Sequence, residues 1–231
     1  MPLLPSPLDA VICDMDGLLL DTEAAHRDTM REAAAELGYE LPDSLFLKTV
    51  GVHRPQNRIT LGEHFGPEFP LDLFYERSDS RFEEILARGA PLRPGLEALL
   101  STLETFAVKR AVVTSTGSPW AEQRLRAAGI LDRFDAVVTL SDVARPKPAP
   151  DPYLMAAEQL GARPAHCLAL EDSHNGVRAA AAAGMVTVMI PDLLPPTDET
   201  RRLAAATLTS LDDVAGLIAD ELAEGLERAA S

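Results

Sequence analysis

The strongest constraint on the fold is a set of five short apolar runs, each of which passes directly into polar or turn-forming residues. The runs are nearly continuous in apolar residues, which is typical of strands that are covered on both faces of a sheet. Segments with a helical pattern lie between them. This alternation of strand and helix predicts an α/β fold with a parallel sheet and helices on both sides. Together with the polar or turn-forming residues that end them, the runs cover residues 9–14, 109–116, 135–142, 166–173 and 185–192.

The stretch between the first two runs breaks this alternation. It carries three helical patterns and no convincing strand, so a helical insert fits it better than a continuation of the sheet. We therefore expect an α/β core formed by residues 1–21 and 93–231, with residues 22–92 as a helical insert. A chain of 231 residues is long enough for this arrangement. The three helical patterns cover residues 23–38, 55–66 and 71–89.

Charge and hydropathy exclude several classes of partner. The sequence has 36 Asp and Glu residues against 21 Lys and Arg, a formal net charge of −15. Such an acidic surface repels phosphate backbones, so we expect no nucleic acid partner, and it suits a protein that recruits divalent cations. No apolar run approaches the roughly 18 residues that span a bilayer, and the first residues lack a basic start followed by a long apolar run. We expect a cytoplasmic protein without a membrane partner, and the sequence indicates no oligomeric state.

Polar side chains with catalytic potential follow four of the apolar runs. Ligands of open parallel sheets bind beyond the carboxyl ends of the strands, and these ends share one edge of the sheet. We therefore expect the side chains to meet at one site. They are Asp14 and Asp16 after the first run, Thr114, Ser115 and Thr116 after the second, Arg145 and Lys147 after the third, and Glu171 and Asp172 after the fourth.

This set of side chains is chemically coherent. Oxygen ligands without a nearby His or Cys suit Mg²⁺, which needs only a few carboxylates besides water and substrate phosphate. Such an ion would relieve the repulsion between Asp14 and Asp16 and would let the Asp14 anion approach phosphorus, forming an aspartyl-phosphate. Asp16 is placed to protonate the leaving oxygen and later to deprotonate water. Lys147 and the Thr114 hydroxyl can hold the phosphoryl oxygens on which charge accumulates.

Each of these signals has an alternative interpretation when it stands alone. The two spaced aspartates could belong to an EF-hand calcium loop, but Leu18 and Ala25 occupy positions where that loop needs oxygen ligands. The hydroxyl-rich residues 114–118 could form an ordinary loop, and residues 171–173 could simply begin a helix. Their order along the chain and their shared sheet edge make the combined signal specific.

Four segments resemble, in order, the motifs of the haloacid dehalogenase superfamily of phosphohydrolases. More narrowly, they resemble its β-phosphoglucomutase-like and phosphoglycolate phosphatase-like branch, in which a helical-bundle cap is inserted after the first motif. The resemblance covers nearly the whole chain and implies a Rossmann-like core, with the helical insert as the cap. The segments are DMDGLLLDTE (14–23), VVTST (112–116), RPKPAPDPY (145–153) and LEDSHNGVRAAAAAGM (170–185).

The resemblance also implies a role for each catalytic side chain. Asp14 would be the nucleophile and Asp16 the general acid and base. Thr114 would bind phosphate, with Ser115 beside it in contact with the substrate. Lys147 would clamp the negative charge that develops during transfer.

The same resemblance implies a metal site. Mg²⁺ would be held by the Asp14 side chain, the Asp16 main-chain carbonyl and the Asp172 side chain. Glu171 would lie at the metal or next to it.

The helical insert is expected to choose the substrate. By resemblance, Arg54 and Arg77 stand where the sugar-phosphate mutase carries basic groups that grip the non-reacting end of the substrate. His26 matches a histidine on the hinge side of the first cap helix. An ordinary histidine on a helix face is the alternative for His26.

The sequence predicts a Mg²⁺-dependent phosphatase that acts on a small phosphorylated metabolite, such as a sugar phosphate. A phosphomutase that returns the phosphoryl group to its substrate is an alternative with the same motifs. A non-catalytic metal-binding or partner-binding protein is a second alternative, which the complete set of motif residues disfavours.

Overall fold

The predicted parallel sheet is present in a computed structural model of the chain, which describes residues 3–50, 52 and 54–230, with side chains up to residue 225. Six strands in this part of the chain form one sheet in the order β3-β2-β1-β4-β5-β6, and every neighbouring pair is parallel. The α/β prediction is confirmed. The strands are β1 Ala10–Cys13, β2 Lys109–Val113, β3 Ala136–Val138, β4 Cys167–Glu171, β5 Val186–Met189 and β6 Ala206–Thr207.

Helices follow β1, as the sequence predicts for the helical insert. They bury an apolar cluster of their own, which is centred on Met30, Phe46, Leu61 and Phe74 and is separate from the clusters on the sheet. The inserted helical bundle is therefore confirmed as part of the fold, whereas its limits at residues 22 and 92 stay a prediction. The helices in the described part of the insert are α1 Thr22–Glu36, α2 Asp43–Phe46, α3 Arg54–Phe65 and α4 Leu71–Ala87.

The two chain segments that connect the insert to the core run side by side. Leu20 forms an isolated antiparallel bridge with Leu92. The Asp21 N–H donates to the Pro91 carbonyl at 2.9 Å, and the Arg93 N–H donates to the Leu19 carbonyl at 2.9 Å. The insert is thus attached directly beyond the end of β1.

Side chains alternate along each strand, so each strand contributes apolar side chains to both faces of the sheet. Helices pack against both faces and cover them. On β1, Val11 and Cys13 face a cluster that includes residues of the helices Leu96–Thr105 and Leu211–Ala230, whereas Ala10 and Ile12 face one that includes residues of the helices Asp151–Leu160 and His174–Ala182. All four side chains are fully buried or nearly so. None of the described helices is long and apolar enough to cross a membrane. The remaining helices are α5 Leu96–Thr105, α6 Trp120–Ala127, α7 Asp151–Leu160, α8 His174–Ala182, α9 Asp198–Leu203 and α10 Leu211–Ala230.

The sheet has one strand more than the sequence predicts. β6 is two residues long and pairs with β5, with Ala206 opposite Val188. A strand of two residues is too short to show a hydrophobic pattern. Helix α9 is six residues long and is likewise too short for the sequence to predict from a hydrophobic pattern.

The strand order determines where the site lies. β1 is paired with β2 on one side and with β4 on the other. The residues that follow these strands therefore meet at the centre of the carboxyl edge of the sheet, where ligands of such sheets bind.

Candidate active site

Six of the nine residues predicted at the strand ends line one cavity of about 470 Å³. Thr116, Arg145 and Glu171 are not part of its described lining, and the Arg145 side chain is 72% exposed and pairs with Asp151. The Asp14 N–H continues the β1 ladder by donating to the Leu170 carbonyl at 3.0 Å, and the Thr114 N–H donates to the Val138 carbonyl at 2.9 Å. The main chain thus fixes where both side chains begin. The cavity is lined by Asp14, Asp16, Glu23, Val50, Val52, Thr114, Ser115, Lys147, Asp172, Ser173, His174, Asn175, Arg178, Leu193 and Leu194.

Lys147 brings a buried positive charge to the end of β1. Its side chain is only 4% exposed, and its ammonium group forms an ion pair with Asp14. The ammonium also donates to the Val113 carbonyl at 2.9 Å and to Glu171 Oε1 at 2.6 Å. Burial alone would lower the pKa of Lys147, but the carboxylates of Asp14 and Glu171 raise it above its usual range. Lys147 therefore stays charged.

Glu171 is held on all sides by hydrogen-bond donors and is fully buried. Besides Lys147, the Tyr153 hydroxyl donates to Glu171 Oε1 at 2.6 Å. The Ser173 N–H and hydroxyl donate to Oε2 at 3.2 and 3.0 Å. A Cβ at Gly176 would overlap this carboxylate, so only glycine fits there. Sequence reasoning did not assign a role to Tyr153, although it lies in the third motif segment.

Three carboxylates crowd the same space. Oxygen atoms of Asp14, Glu171 and Asp172 all lie within 4.8 Å of one another. Burial raises the pKa of Asp14 to about 8, and the neighbouring Glu171 adds to the effect, although Lys147 opposes it. Burial, together with the repulsion from Asp14 and Glu171, raises the pKa of Asp172 well above its ordinary value. One lysine does not balance the charge of three carboxylates.

The crowded carboxylates fit a divalent cation. Asp172 Oδ1 is buried and has no hydrogen-bond partner among the described residues, so an acceptor is left free next to Asp14. Gly17 lies against Asp172 closely enough that a Cβ there would overlap its carboxylate. Hard oxygen donors with excess negative charge are the ligands that Mg²⁺ prefers, and a bound cation favours the ionised form of its carboxylate ligands.

Asp16 faces the hydroxyl groups after β2. Its carboxylate is 28% exposed. Its Oδ2 accepts a hydrogen bond from Thr116 at 2.9 Å and a longer one from Thr114 at 3.4 Å. Arg124 lies 3.5 Å from its Oδ1. Sequence reasoning missed Arg124, because an arginine in a helical pattern is usually solvated and carries no motif signal.

Glu23, which the sequence did not single out as a site residue, also lines the cavity. Burial raises the pKa of its carboxyl to about 7, and the charges of Asp16, Asp192 and Asp21 add to the effect. Its position in the first turn of α1, at the end of the first motif segment, was the available signal.

His26 lies among aromatic side chains of the insert. Its ring is 5.0 Å from that of Phe82 and 6.0 Å from that of Phe46, measured between ring centres. Burial lowers the pKa of His26. Among the described residues it is not part of the cavity lining, and its role in substrate binding stays a prediction.

The two arginines predicted to grip the substrate are paired within the insert. Arg54 donates to both carboxylate oxygens of Asp79, at 2.6 and 2.8 Å, and its guanidinium lies 4.3 Å from the centre of the Tyr75 ring. Arg77 donates to Glu36 at 3.0 Å. Neither arginine belongs to the described lining of the cavity, and their contact with substrate stays a prediction.

The family of the chain follows from comparison with known proteins. The model of the haloacid dehalogenase-like hydrolases matches residues 8–184. The chain belongs to this family. A solved structure from Thermotoga maritima that is named for β-phosphoglucomutase is 28% identical with a TM-score of 0.77, covering 94% of this chain and 99% of that one, so the superfamily and branch indicated by the motifs are confirmed.

Several members of the haloacid dehalogenase-like family are similar over most of their length. YhcW of Bacillus subtilis (strain 168) is 37% identical over 190 residues, covering 80% of this chain and 84% of YhcW. Fructose-1-phosphate phosphatase YqaB of Escherichia coli (strain K12) is 33% identical over 183 residues, covering 77% and 94%. A HAD family hydrolase of Deinococcus radiodurans R1, solved with bound phosphate and sodium, is 28% identical with a TM-score of 0.78, covering 91% and 97%. The family and its phosphatases place this enzyme among the hydrolases of phosphate monoesters.

Proposed function

We propose that the enzyme is a Mg²⁺-dependent phosphatase that hydrolyses a small phosphorylated metabolite, such as a sugar phosphate, through an aspartyl-phosphate on Asp14. The observation that carries the proposal is the group of buried Asp14, buried Lys147 and half-buried Asp172 at the wall of a cavity of about 470 Å³. A carboxylate nucleophile, a fixed cation and metal ligands are thus available within one site.

The reaction would proceed in two displacements. In the first, an Asp14 oxygen forms a bond to phosphorus while the ester P–O bond breaks, and Asp16 gives its proton to the leaving oxygen. In the second, Asp16 takes a proton from water, whose oxygen attacks phosphorus and releases phosphate and the free Asp14 carboxylate. Lys147 and the hydroxyls of Thr114 and Ser115 hold the phosphoryl oxygens in both steps.

The metal would be held by the side chains of Asp14 and Asp172 and by the main-chain carbonyl of Asp16. When bound, Mg²⁺ supplies positive charge that offsets the charge of the phosphoryl oxygens and of its carboxylate ligands. Glu171 stands beside these ligands, and its hydrogen bonds with Lys147, Tyr153 and Ser173 suit it to orient Lys147.

The size and lining of the cavity support a small substrate. A volume of about 470 Å³ accommodates one metabolite of ordinary size. Val50 and Val52 of the insert and Leu193 and Leu194 of the core line it together with the acidic groups. The fructose 1-phosphate named for YqaB makes a sugar phosphate the first compound to try.

The test is a screen of phosphorylated metabolites for released inorganic phosphate, with Mg²⁺ and with EDTA. We expect release from at least one sugar phosphate, and its loss in EDTA. With hexose 1-phosphate as substrate, hexose 6-phosphate in place of free phosphate would identify a phosphomutase. Absence of turnover with every substrate and divalent cation would contradict the proposal and would favour a metal-binding or partner-binding role.

A further inference from the structure

A largely buried arginine outside the motif residues connects Asp16 to the helical insert. Arg124 lies on α6 of the core, and its side chain is 11% exposed. One arm of its guanidinium reaches the loop after β2, and the other reaches α4 of the insert. The planar guanidinium presents several donors in a fixed fork, so a single side chain can hold two partners in a defined relative position.

The arm towards the site acts through Thr116. Arg124 Nη1 donates to Thr116 Oγ1 at 3.0 Å, and Thr116 Oγ1 donates to Asp16 Oδ2 at 2.9 Å. A hydroxyl has a single hydrogen, so the donation from Arg124 to its oxygen leaves that hydrogen directed at Asp16. The same arm lies 3.5 Å from Asp16 Oδ1. Together these contacts hold the Asp16 carboxylate next to the hydroxyl of Thr114.

The other arm acts on the insert. Arg124 Nη2 donates to Glu83 Oε1 at 2.9 Å. The guanidinium also lies 5.5 Å from the centre of the Phe82 ring, which in turn contacts the ring of His26. Glu83 and Phe82 are consecutive residues of α4. The guanidinium is therefore held between this helix and the loop after β2.

We propose that Arg124 is a positioning residue that holds the Asp16 carboxylate through Thr116, in an orientation set by Glu83 of the insert. The proposal rests on the proposed role of Asp16 as the proton donor to the leaving oxygen. Without Arg124, the Thr116 hydroxyl and the Asp16 carboxylate can rotate away from Thr114. Without the Glu83 charge, the guanidinium loses its ionic partner on α4.

The test compares two substrates of similar shape, p-nitrophenyl phosphate and phenyl phosphate. Nitrophenolate is a good leaving group and needs little protonation, whereas phenolate depends on the proton donor. The quantity to measure is the ratio of kcat/KM for phenyl phosphate to kcat/KM for p-nitrophenyl phosphate. A residue that only stabilises the fold changes both rates together and leaves this ratio constant.

We expect Arg124→Met to lower the ratio about tenfold, a part of the roughly 10²- to 10⁴-fold effect of general acid catalysis. Arg124→Lys keeps the charge without the fork and should give an intermediate ratio. Glu83→Gln should lower the ratio about threefold, as it weakens one contact of the same residue. Glu84→Gln, at the exposed neighbouring position of α4, should leave it unchanged.

The variants of both partners also test the connection between them. If Glu83 acts through Arg124, the double variant Glu83→Gln/Arg124→Met should have the ratio of Arg124→Met alone. If instead the two substitutions lower the ratio by independent factors that multiply in the double variant, the link to the insert is overturned. A constant ratio in Arg124→Met and Glu83→Gln would overturn the positioning role. If Arg124→Met does not fold, the ratio of Glu83→Gln decides.

Wild type and Asp16→Ala separate this proposal from the proposed function. A lowered ratio in Asp16→Ala with constant ratios in the Arg124 and Glu83 variants would reject the inference about Arg124 and keep the acid role of Asp16. An unchanged ratio in Asp16→Ala would reject the acid role of Asp16 and, with it, the inference about Arg124, while phosphate release from a sugar phosphate would keep the phosphatase function.

Discussion

The sheet edge and the helical insert use charged side chains in opposite ways. At the sheet edge, Lys147 is 4% exposed and pairs with Asp14 and Glu171, which are 10% and 0% exposed. In the insert, Arg54 and Asp79 form a pair whose side chains are 49% and 43% exposed. The ion pairs of Lys147 are largely removed from water, whereas the pair of Arg54 with Asp79 stays exposed to it.

This difference in exposure predicts a difference in consequence. Removing one partner of a buried pair leaves an uncompensated charge and is costly, whereas exposed pairs contribute little because water and salt screen them. The chemistry of the enzyme should therefore be sensitive to any change at the sheet edge. The surface pairs of the insert should tolerate change, which leaves that region free to vary with the substrate.

The largest effect is expected for Asp14→Asn. An amide does not attack phosphorus, so phosphate release should fall at least roughly a thousandfold. Asn has nearly the same shape, and circular dichroism should report an unchanged fold. Asp72→Asn removes a carboxylate from a pair in the insert that is 91% exposed on the Asp72 side, and it should leave turnover unchanged. Turnover of Asp14→Asn at the wild-type rate would remove Asp14 as nucleophile.

Lys147→Met compares the two kinds of pair directly. The variant leaves Asp14 and Glu171 without their cation, and above pH 8, where Asp14 is ionised, we expect it to destabilise the metal-free protein by about 3–5 kcal/mol. Activity should fall roughly a hundredfold or more, because a fixed charge on the phosphoryl oxygens is lost. The matched variant in the insert is Arg58→Met, which should cost less than about 1 kcal/mol. Urea unfolding measures the loss in free energy of unfolding for each variant, and equal losses would contradict the distinction between the two regions.

Stability of the metal-free enzyme should depend on pH through Asp14. Its pKa rises from 3.8 to about 8 on folding because of burial. The folded state thus holds a proton that the unfolded state releases, and this contribution to stability is present below pH 3.8 and is lost as pH rises to about 8. Asp172 acts in the same direction.

The difference between wild type and Asp14→Asn isolates this effect. In EDTA, the free energy of unfolding of wild type should fall more steeply with rising pH than that of the variant, as measured by urea unfolding between pH 4 and 8. Mg²⁺ should reduce the slope of wild type, because a cation favours the ionised carboxylate. A wild-type slope equal to that of the variant would be inconsistent with a proton held on buried Asp14.

The smallest effect is expected for Arg54→Ala. Arg54 is predicted to contact a second anionic group of the substrate, yet Asp79 already holds both of its terminal nitrogens. We expect KM to rise only about two- to threefold for sugar bisphosphates, a change of less than 1 kcal/mol. KM for p-nitrophenyl phosphate should not change, and Arg58→Ala on the same helix serves as control. An equal rise for both substrates would argue against contact between Arg54 and the substrate.

Most of the core could be predicted from the sequence because two regular patterns coincide there. Buried parallel strands show as continuous apolar runs, and polar residues directly after such a run must stand at the carboxyl edge of the sheet. This reasoning brings together Asp14, Thr114, Lys147 and Asp172 although they are far apart along the chain, and the structure places all of them at one cavity. The sequence did not predict β6, because a strand of two residues is too short to show a periodic pattern.

The insert could be predicted only as a set of helices. A helical pattern tells which residues face the apolar cluster, but it does not tell which exposed charges meet. The pair of Arg54 with Asp79 joins residues 25 positions apart, and the pair of Arg124 with Glu83 joins residues 41 positions apart on different elements. Residues that far apart do not lie next to each other on one face of a helix, so a helical pattern does not reveal these two pairs.

By itself, the sequence determined the parallel sheet, the helical insert and the set of acidic, hydroxyl and lysine side chains at the sheet edge. Only the tertiary structure decided that Glu171 is surrounded by Tyr153 and Ser173, and that Arg124 stands between Asp16 and the insert. The physical reason is that strand ends follow from local hydrophobic pattern, whereas hydrogen bonds between side chains depend on how separate elements pack and on which donors that packing removes from water.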